Sequence, residues 1–301
     1  MTEQFAGKKI VIVGLGLIGG SLARALIAAG CDCEIVGVGR DAAVLQQAIE
    51  DGSITAYTAD VQTACAEADL IVIAVPVLSV KAMLQDMAPV LAPHTVITDV
   101  ASVKHSVVAA AREVFGSVPP RFVPGHPIAG SEQSGYAASK AELFQRRKVI
   151  LTPLAETDPA AVALVRALWE LTGAEVLDMS VEHHDEVLAA TSHLPHLLAF
   201  ALVDTLSQQG ESEEIFRYAA GGFRDFTRIA SSDPVMWRDI FVTNGAATVK
   251  ILDKYVADLQ ILRAALLNGD GELLHTIFKR ARQSRAAFLA MSKPPSDKPA
   301  E

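Results

Sequence analysis

Gly14-Leu15-Gly16-Leu17-Ile18-Gly19 follows a short apolar run, Lys9–Val13, and opens a helix-like stretch. In that setting few short patterns restrict a fold as much. A strand that turns through glycines straight into a helix is the phosphate-binding start of a dinucleotide-binding βαβ unit. Gly14 makes the turn. Gly16 lets backbone approach a pyrophosphate, and Gly19 lets helix and strand pack closely. Leu17 and Ile18, in the same loop, are expected to bind the cofactor with the glycines, and the N-terminus of the helix that follows supplies amide donors and the positive end of a macrodipole. The other reading is a glycine-rich turn with no ligand, which leaves the three glycines without a purpose.

The first half of the chain goes on alternating. Strands are expected at Glu34–Val38, Asp69–Val75, Thr95–Val100, Arg121–Val123, Lys148–Thr152 and Glu175–Asp178. Helices are expected at Ser21–Ala29, Asp41–Asp51, Val77–Leu91, Lys104–Phe115 and Ala160–Leu171, the last capped by Asp158 with Pro159 at its first position. Asp69–Val75 is nearly all apolar, as a strand buried on both faces must be. This is an α/β pattern, and it predicts a Rossmann-type, doubly wound parallel sheet. After Ser180 strand signals stop. Helices follow at about 181–208, 212–219, 233–267 and 270–291, with a start at Asp233-Pro234 and a break at Asn268-Gly269. Pro195 is expected to kink the first of them and to free the carbonyl of Thr191. The expected organisation is a dinucleotide-binding domain over 1–179, an all-α domain over 180–291 and a frayed tail over 292–301.

Composition limits the function. Half of the 301 residues are hydrophobic and the net charge is −9, which argues against a nucleic-acid surface. An acidic chain can still bind an anionic substrate if a few arginines gather in one pocket. Cys31, Cys33 and Cys65 form neither a disulfide framework nor a zinc pattern. The run Ile10–Ile18 is interrupted by glycines and lacks a cleavage site, so it reads as strand and turn rather than signal peptide or membrane span. The cytoplasm is the expected compartment.

Cofactor choice turns on Gly37-Val38-Gly39-Arg40-Asp41. An NAD site usually carries an acid here for the ribose hydroxyls. Gly39 occupies that position and Arg40 follows, a guanidinium that can pair with a 2′-phosphate. NADP is therefore expected, or both cofactors. Asp41 keeps NAD open, unless it is a helix cap.

Four segments carry polar chemistry that folding does not need. Gly125-His126-Pro127-Ile128-Ala129-Gly130-Ser131-Glu132 reads as a turn-rich loop beside a strand, either an idle turn or a reactive site on a crevice. Asp99–Lys104 ends a strand at the edge where open α/β sheets bind ligands, and its Ser102 is a ligand contact or a helix cap. Ser192-His193-Leu194-Pro195-His196 places two histidines one turn apart. No glutamate stands between them in the zinc-protease pattern, and no metal is expected. In Gly221–Ala230, Arg224 and Arg228 share a face if the segment is helical. They are either surface charges or part of a structured turn.

These segments together resemble the prephenate and arogenate dehydrogenases of tyrosine biosynthesis. The resemblance runs from the glycine loop to about Lys279. It is carried by Gly-His-Pro-Ile-Ala-Gly at 125–130, Ser-His-Leu-Pro-His at 192–196, Phe-Thr-Arg-Ile-Ala at 226–230 and Asp-Pro-Val-Met-Trp-Arg-Asp at 233–239. It implies oxidative decarboxylation of a cyclohexadienol to an aromatic product, with hydride passing to NAD(P). By resemblance His126 takes the proton of the ring hydroxyl, and Ser102 hydrogen-bonds beside it. Arg228 anchors a substrate carboxylate, and His196 contacts the substrate side chain with Ser192 nearby. Glu132 and Trp237 match supporting or partner-subunit positions. Asp225 either pairs with the ammonium that only arogenate carries, or orients Arg224 or caps a helix.

The resemblance also implies a homodimer. The apolar residues of 233–267 and 270–291 either form its interface or the domain's own core. A chorismate-mutase region before the glycine loop and a regulatory domain after 291 are not expected. Two other readings stand beside this one. A β-hydroxyacid dehydrogenase needs a catalytic lysine, and Lys250 and Lys254 lie on a long helix without a glycine-rich setting. A dinucleotide-sensing protein would have no use for His126, Ser102 and Arg228 together.

Overall fold

The structure is a computed structural model that describes residues 2–210 and 212–291, with Ser212 and Glu213 as backbone only. Residues 292–301, expected to be frayed, lie outside the described residues. Two compact units are present, Met1–Thr248 and Val249–Glu301.

The first unit opens with β1 (Lys9–Val13), α1 (Leu17–Ala28), β2 (Glu34–Val38), α2 (Ala42–Glu50), β3 (Ala56–Thr58), α3 (Val61–Cys65) and β4 (Leu70–Ile73). It continues through α4 (Val80–Met87), β5 (Val96–Asp99), α5 (Lys104–Phe115) and β6 (Phe122–Val123). All six strands are parallel, in the order β3-β2-β1-β4-β5-β6. The order reverses between β1 and β4, which opens a crevice at their C-terminal ends. Successive side chains point to opposite faces of a strand. Ile10 and Ile12 accordingly join Leu22, Leu26 and Trp169 in one core, while Val11 and Val13 join Ile71, Ile73 and Phe122 in the other. Helices on both faces explain why β1 and β4 read as unbroken apolar runs.

The doubly wound sheet ends sooner than the alternation predicts. After β6 come β7 (Gly125–Pro127), β8 (Lys148–Leu151), α6 (Pro159–Leu171) and β9 (Glu175–Asp178). The three strands form a separate sheet, with β7 antiparallel and β9 parallel to β8. Pro124 has no N–H to extend the β6 ladder, and its carbonyl instead accepts from Thr152 N at 2.9 Å. The stretch read as a loop at 125–132 thus begins as an edge strand, and His126 stands on it. Pro127 is tolerated there because an edge strand leaves one row of donors unused. β3 and α3 are short elements that the alternation did not reveal.

Helices follow. α7 (Val181–Leu188) runs through a π-helical turn, Ala189–His193, into α8 (Leu194–Ser207). The extra residue of that turn absorbs Pro195, which falls in the first turn of α8. Val181–Ser207 is long and apolar enough to cross a membrane by length and composition, yet it carries His184, Asp185, His193 and His196. Then come α9 (Ser212–Arg217), α10 (Gly221–Thr227) and α11 (Pro234–Thr243). α12 (Gly245–Asn268) and α13 (Gly271–Met291) complete the chain as described. The helix expected over 233–267 breaks at Asn244, with φ −114° and ψ 31°. In the second unit Leu266, Leu267 and Phe278 are exposed.

Candidate active site

The glycine loop lies at the crevice. α1 starts at Leu17, four residues before the helix expected from Ser21, so Leu17 and Ile18 form its first turn. Gly16 is its N-cap and no side chain caps the free amides, which suits an anion from outside. Gly14 has φ +101°, and a Cβ there would lie 2.4 Å from the carbonyl oxygen of Ala74. A Cβ on Gly19 would lie 2.0 Å from the carbonyl oxygen of Gly14. A Cβ on Gly16 would meet nothing within 4 Å. Gly14 and Gly19 are therefore fixed by the fold, whereas Gly16 borders open space. This cradle fits a dinucleotide pyrophosphate. Arg40 is exposed just past the end of β2. Asp41 accepts from Ala43 N at 3.0 Å and Val44 N at 3.3 Å, so its carboxylate is a cap of α2.

Past the ends of β5 and β6 the chain builds a buried polar network. Lys104 is fully buried. It pairs with Asp99 and donates to the carbonyl of Gly125 at 2.6 Å. Asp99 accepts from Gly125 N at 3.1 Å and from Ala101 N at 2.9 Å. The loop that carries Ser102 is thus tied to the residue before His126. Ser102 itself is half-buried. His126 is 8% exposed, and its Nδ1 lies 2.9 Å from Nε2 of His184. His184 Nδ1 lies 2.7 Å from Asp185 Oδ1. Burial, then His184, Lys104 and His193, hold the His126 imidazole well below its usual pKa, so it is neutral near pH 7. Burial pushes His193 down to about 4, and Asn244 Nδ2 lies 3.1 Å from its Nδ1. The same Asn244 group donates to the carbonyl of Asp185 at 3.0 Å.

A second cluster holds the remaining candidates. His196 stacks on Trp237 with ring centroids 3.7 Å apart and 23° between planes. Its Nδ1 donates to the carbonyl of Ser192 at 2.8 Å, which leaves Nε2 as the unprotonated nitrogen. Burial lowers its pKa. Trp237 is 6% exposed and its indole N–H has no partner among the described residues. Arg228 follows α10 directly and pairs with Glu132, which comes from the segment after β7. Asp225 is exposed on α10, three residues before Arg228.

A family model for the nucleotide-binding domain of prephenate dehydrogenase matches residues 22–178. A second, for its dimerization domain, matches 180–280. The chain belongs to the prephenate dehydrogenase family. It is an NAD(P)-binding oxidoreductase of that family. The chain is 41% identical to a cyclohexadienyl dehydrogenase of Zymomonas mobilis, over 93% of this chain and 96% of that protein. It is 39% identical to a prephenate dehydrogenase of Bacillus subtilis, over 92% and 75%. A structure of prephenate dehydrogenase from Aquifex aeolicus with hydroxyphenyl propionate and NAD+ superposes with a TM-score of 0.88. It is 36% identical, covering 94% of this chain and 99% of that one. Arogenate dehydrogenase of Synechocystis superposes at 0.78 with 28% identity, covering 93% and 99%. The nucleotide-binding match begins past the glycine loop, so the role of that loop rests on its own geometry.

Sequence reasoning found His126 but missed His184, Asp185 and Asn244 as its surroundings. His183, His184 and Asp185 are consecutive residues of the helix expected from about 181. Nothing in the spacing says which histidine turns toward a strand 58 residues earlier.

Proposed function

We propose that the enzyme oxidatively decarboxylates prephenate, arogenate or both, with His126 as the proton acceptor. The supporting observation is the buried, neutral His126 just past the C-terminal end of β6, in a sheet whose β1 leads at its own C-terminal end into the glycine cradle. A bound nicotinamide supplies the hydride acceptor. His126 takes the proton of the ring hydroxyl, and Ser102 on the neighbouring loop holds that hydroxyl. The carbon that bore the hydroxyl gives up its hydride and becomes a carbonyl, and the ring carboxylate leaves as carbon dioxide. The electron pair of the broken C–C bond makes the ring aromatic, and the ring oxygen takes the proton back from His126 as a phenol. Arg228 anchors a substrate carboxylate, which takes the place of Glu132 at the guanidinium. His196, held by Ser192 and stacked on Trp237, offers Nε2 to the substrate side chain, and the unpartnered indole N–H of Trp237 is a further donor. Gly14, Gly16, Leu17, Ile18 and Gly19 hold the cofactor.

Arg40 favours NADP, and the use of Asp41 as a helix cap removes the acid that would favour NAD. Asp225 favours arogenate, whose ammonium it can pair with. The functional division falls near 179, the enzyme works in the cytoplasm, and two copies associate through the helical half. The test is an assay of two substrates with two cofactors, on wild type and on His126→Asn. Turnover on neither substrate rejects the reading, and so does full activity of the variant. A lower KM for NAD than for NADP rejects the role of Arg40. Activity confined to prephenate rejects that of Asp225.

A further inference from the structure

His126 is useful as a base only if Nε2, the ring nitrogen left outside the network, is the unprotonated one. A free imidazole does not guarantee this, because the tautomer is set by the partner of the other nitrogen. That partner is His184, whose Nε2 lies 2.9 Å from His126 Nδ1. The two rings meet edge-on here, at 5.1 Å between centroids and 65° between planes, and one nitrogen must donate while the other accepts.

The deciding group is Asp185. Its Oδ1 accepts from Lys104 N and its Oδ2 from His105 N, each at 2.8 Å. Those amides open α5, whose N-cap residue Val103 offers no side-chain cap. A carboxylate from another helix thus caps α5 from outside, and the helix N-terminus keeps it ionised. An ionised Asp185 can only accept. His184 Nδ1, 2.7 Å away, must therefore carry a proton. In the neutral ring Nε2 is then a lone pair.

We propose that Asp185 and His184 are positioning residues that fix His126 as its Nδ1–H tautomer, with Nε2 free to take the substrate proton. The inference rests on His126 being the proton acceptor. His184 must stay neutral for it to hold. Burial and the Lys104 ammonium oppose a charge on His184, while Asp185 and Asp99 favour one, and the net direction is a lowered pKa. The other titratable group facing His126 is His193, which burial keeps neutral. When the hydroxyl proton arrives at Nε2, His126 becomes an imidazolium that donates more strongly through Nδ1–H to His184. No second proton moves.

The test is nitrogen-15 NMR of histidine-labelled enzyme with steady-state kinetics. In wild type at pH 7.5 both His126 and His184 should show protonated Nδ1 and bare Nε2. His184→Leu should lower kcat by about 100-fold, the low end of what positioned proton transfer contributes, and leave both KM values nearly unchanged. It should release His126 to a tautomer mixture, seen as partly protonated Nε2. His184→Gln offers an acceptor to His126 and a donor to Asp185, and should recover about tenfold of that loss. Protonated Nε2 on His126 in wild type overturns the proposal. So does a Leu variant with unchanged kcat and an unchanged His126 tautomer, or a folded Gln variant no better than Leu. If the Leu variant does not fold, the wild-type spectrum and the Gln variant still decide. Activity retained by His126→Asn instead sinks the role of His126 and leaves the tautomer measurement standing.

Discussion

At the scale of single residues, three buried histidines couple folding to pH. His126, His184 and His193 are each held below the ordinary 6.5 mainly by burial. As pH falls below 6.5 the unfolded chain takes up protons that the folded chain refuses, so stability falls with it. For His193, with its pKa near 4, the loss builds between pH 6.5 and 4 and reaches roughly 3 kcal/mol. Asp185 acts outside this window, because its carboxyl is held below the usual 3.8 by the His184 and amide hydrogen bonds, against its own burial. Urea midpoints at pH 7, 5.5 and 4 should therefore decline, and His193→Gln should flatten the decline. A decline as steep in the variant would refute the assignment. Arg228 has a different signature. Arg228→Ala should raise the KM of the substrate by about 10–100-fold, the worth of a charge-assisted pair, and leave cofactor KM alone.

Elements set which glycines matter, and for what. In Gly19→Ala the new methyl would meet the Gly14 carbonyl, and the fold should lose about 3 kcal/mol as α1 is pushed off β1. Gly16 has φ −90° and open space around its Cβ position, so alanine fits the backbone. Gly16→Ala should keep its melting temperature but raise cofactor KM on the order of tenfold, because the methyl stands where a pyrophosphate must approach. Thermal melts and cofactor titrations of the pair separate the two roles. Equal melting losses would show that both glycines are structural. The loop between β5 and α5 depends on the buried Lys104–Asp99 pair. Lys104→Met leaves Asp99 buried without its cation and should cost about 3–5 kcal/mol by urea unfolding.

For the whole molecule, Leu266, Leu267 and Phe278 of α12 and α13 are exposed and lie within the stretch that matches the family's dimerization domain. Light scattering should give twice the mass of the chain. Leu267→Glu with Phe278→Glu should shift it toward monomer and lower activity at low protein concentration. A monomer at assay concentration would remove the interface from the proposal.

The sequence determined by itself what depends on neighbours along the chain. The 3.6 and 2.0 periodicities, the glycines between β1 and α1 and the Asp158-Pro159 start are local, and each was legible. His126 stood out because its glycine and proline setting is local too. What lay beyond reach was pairing across long separations. The small sheet of β7, β8 and β9 depends on where Pro124 ends a ladder and which distant strand takes over. Asp185 reaches amides 80 and 81 residues earlier, and His184 reaches His126 across 58. Only packing decides which face of α7 turns inward. With that decided, His184 and Asp185 of α7 come to stand behind His126.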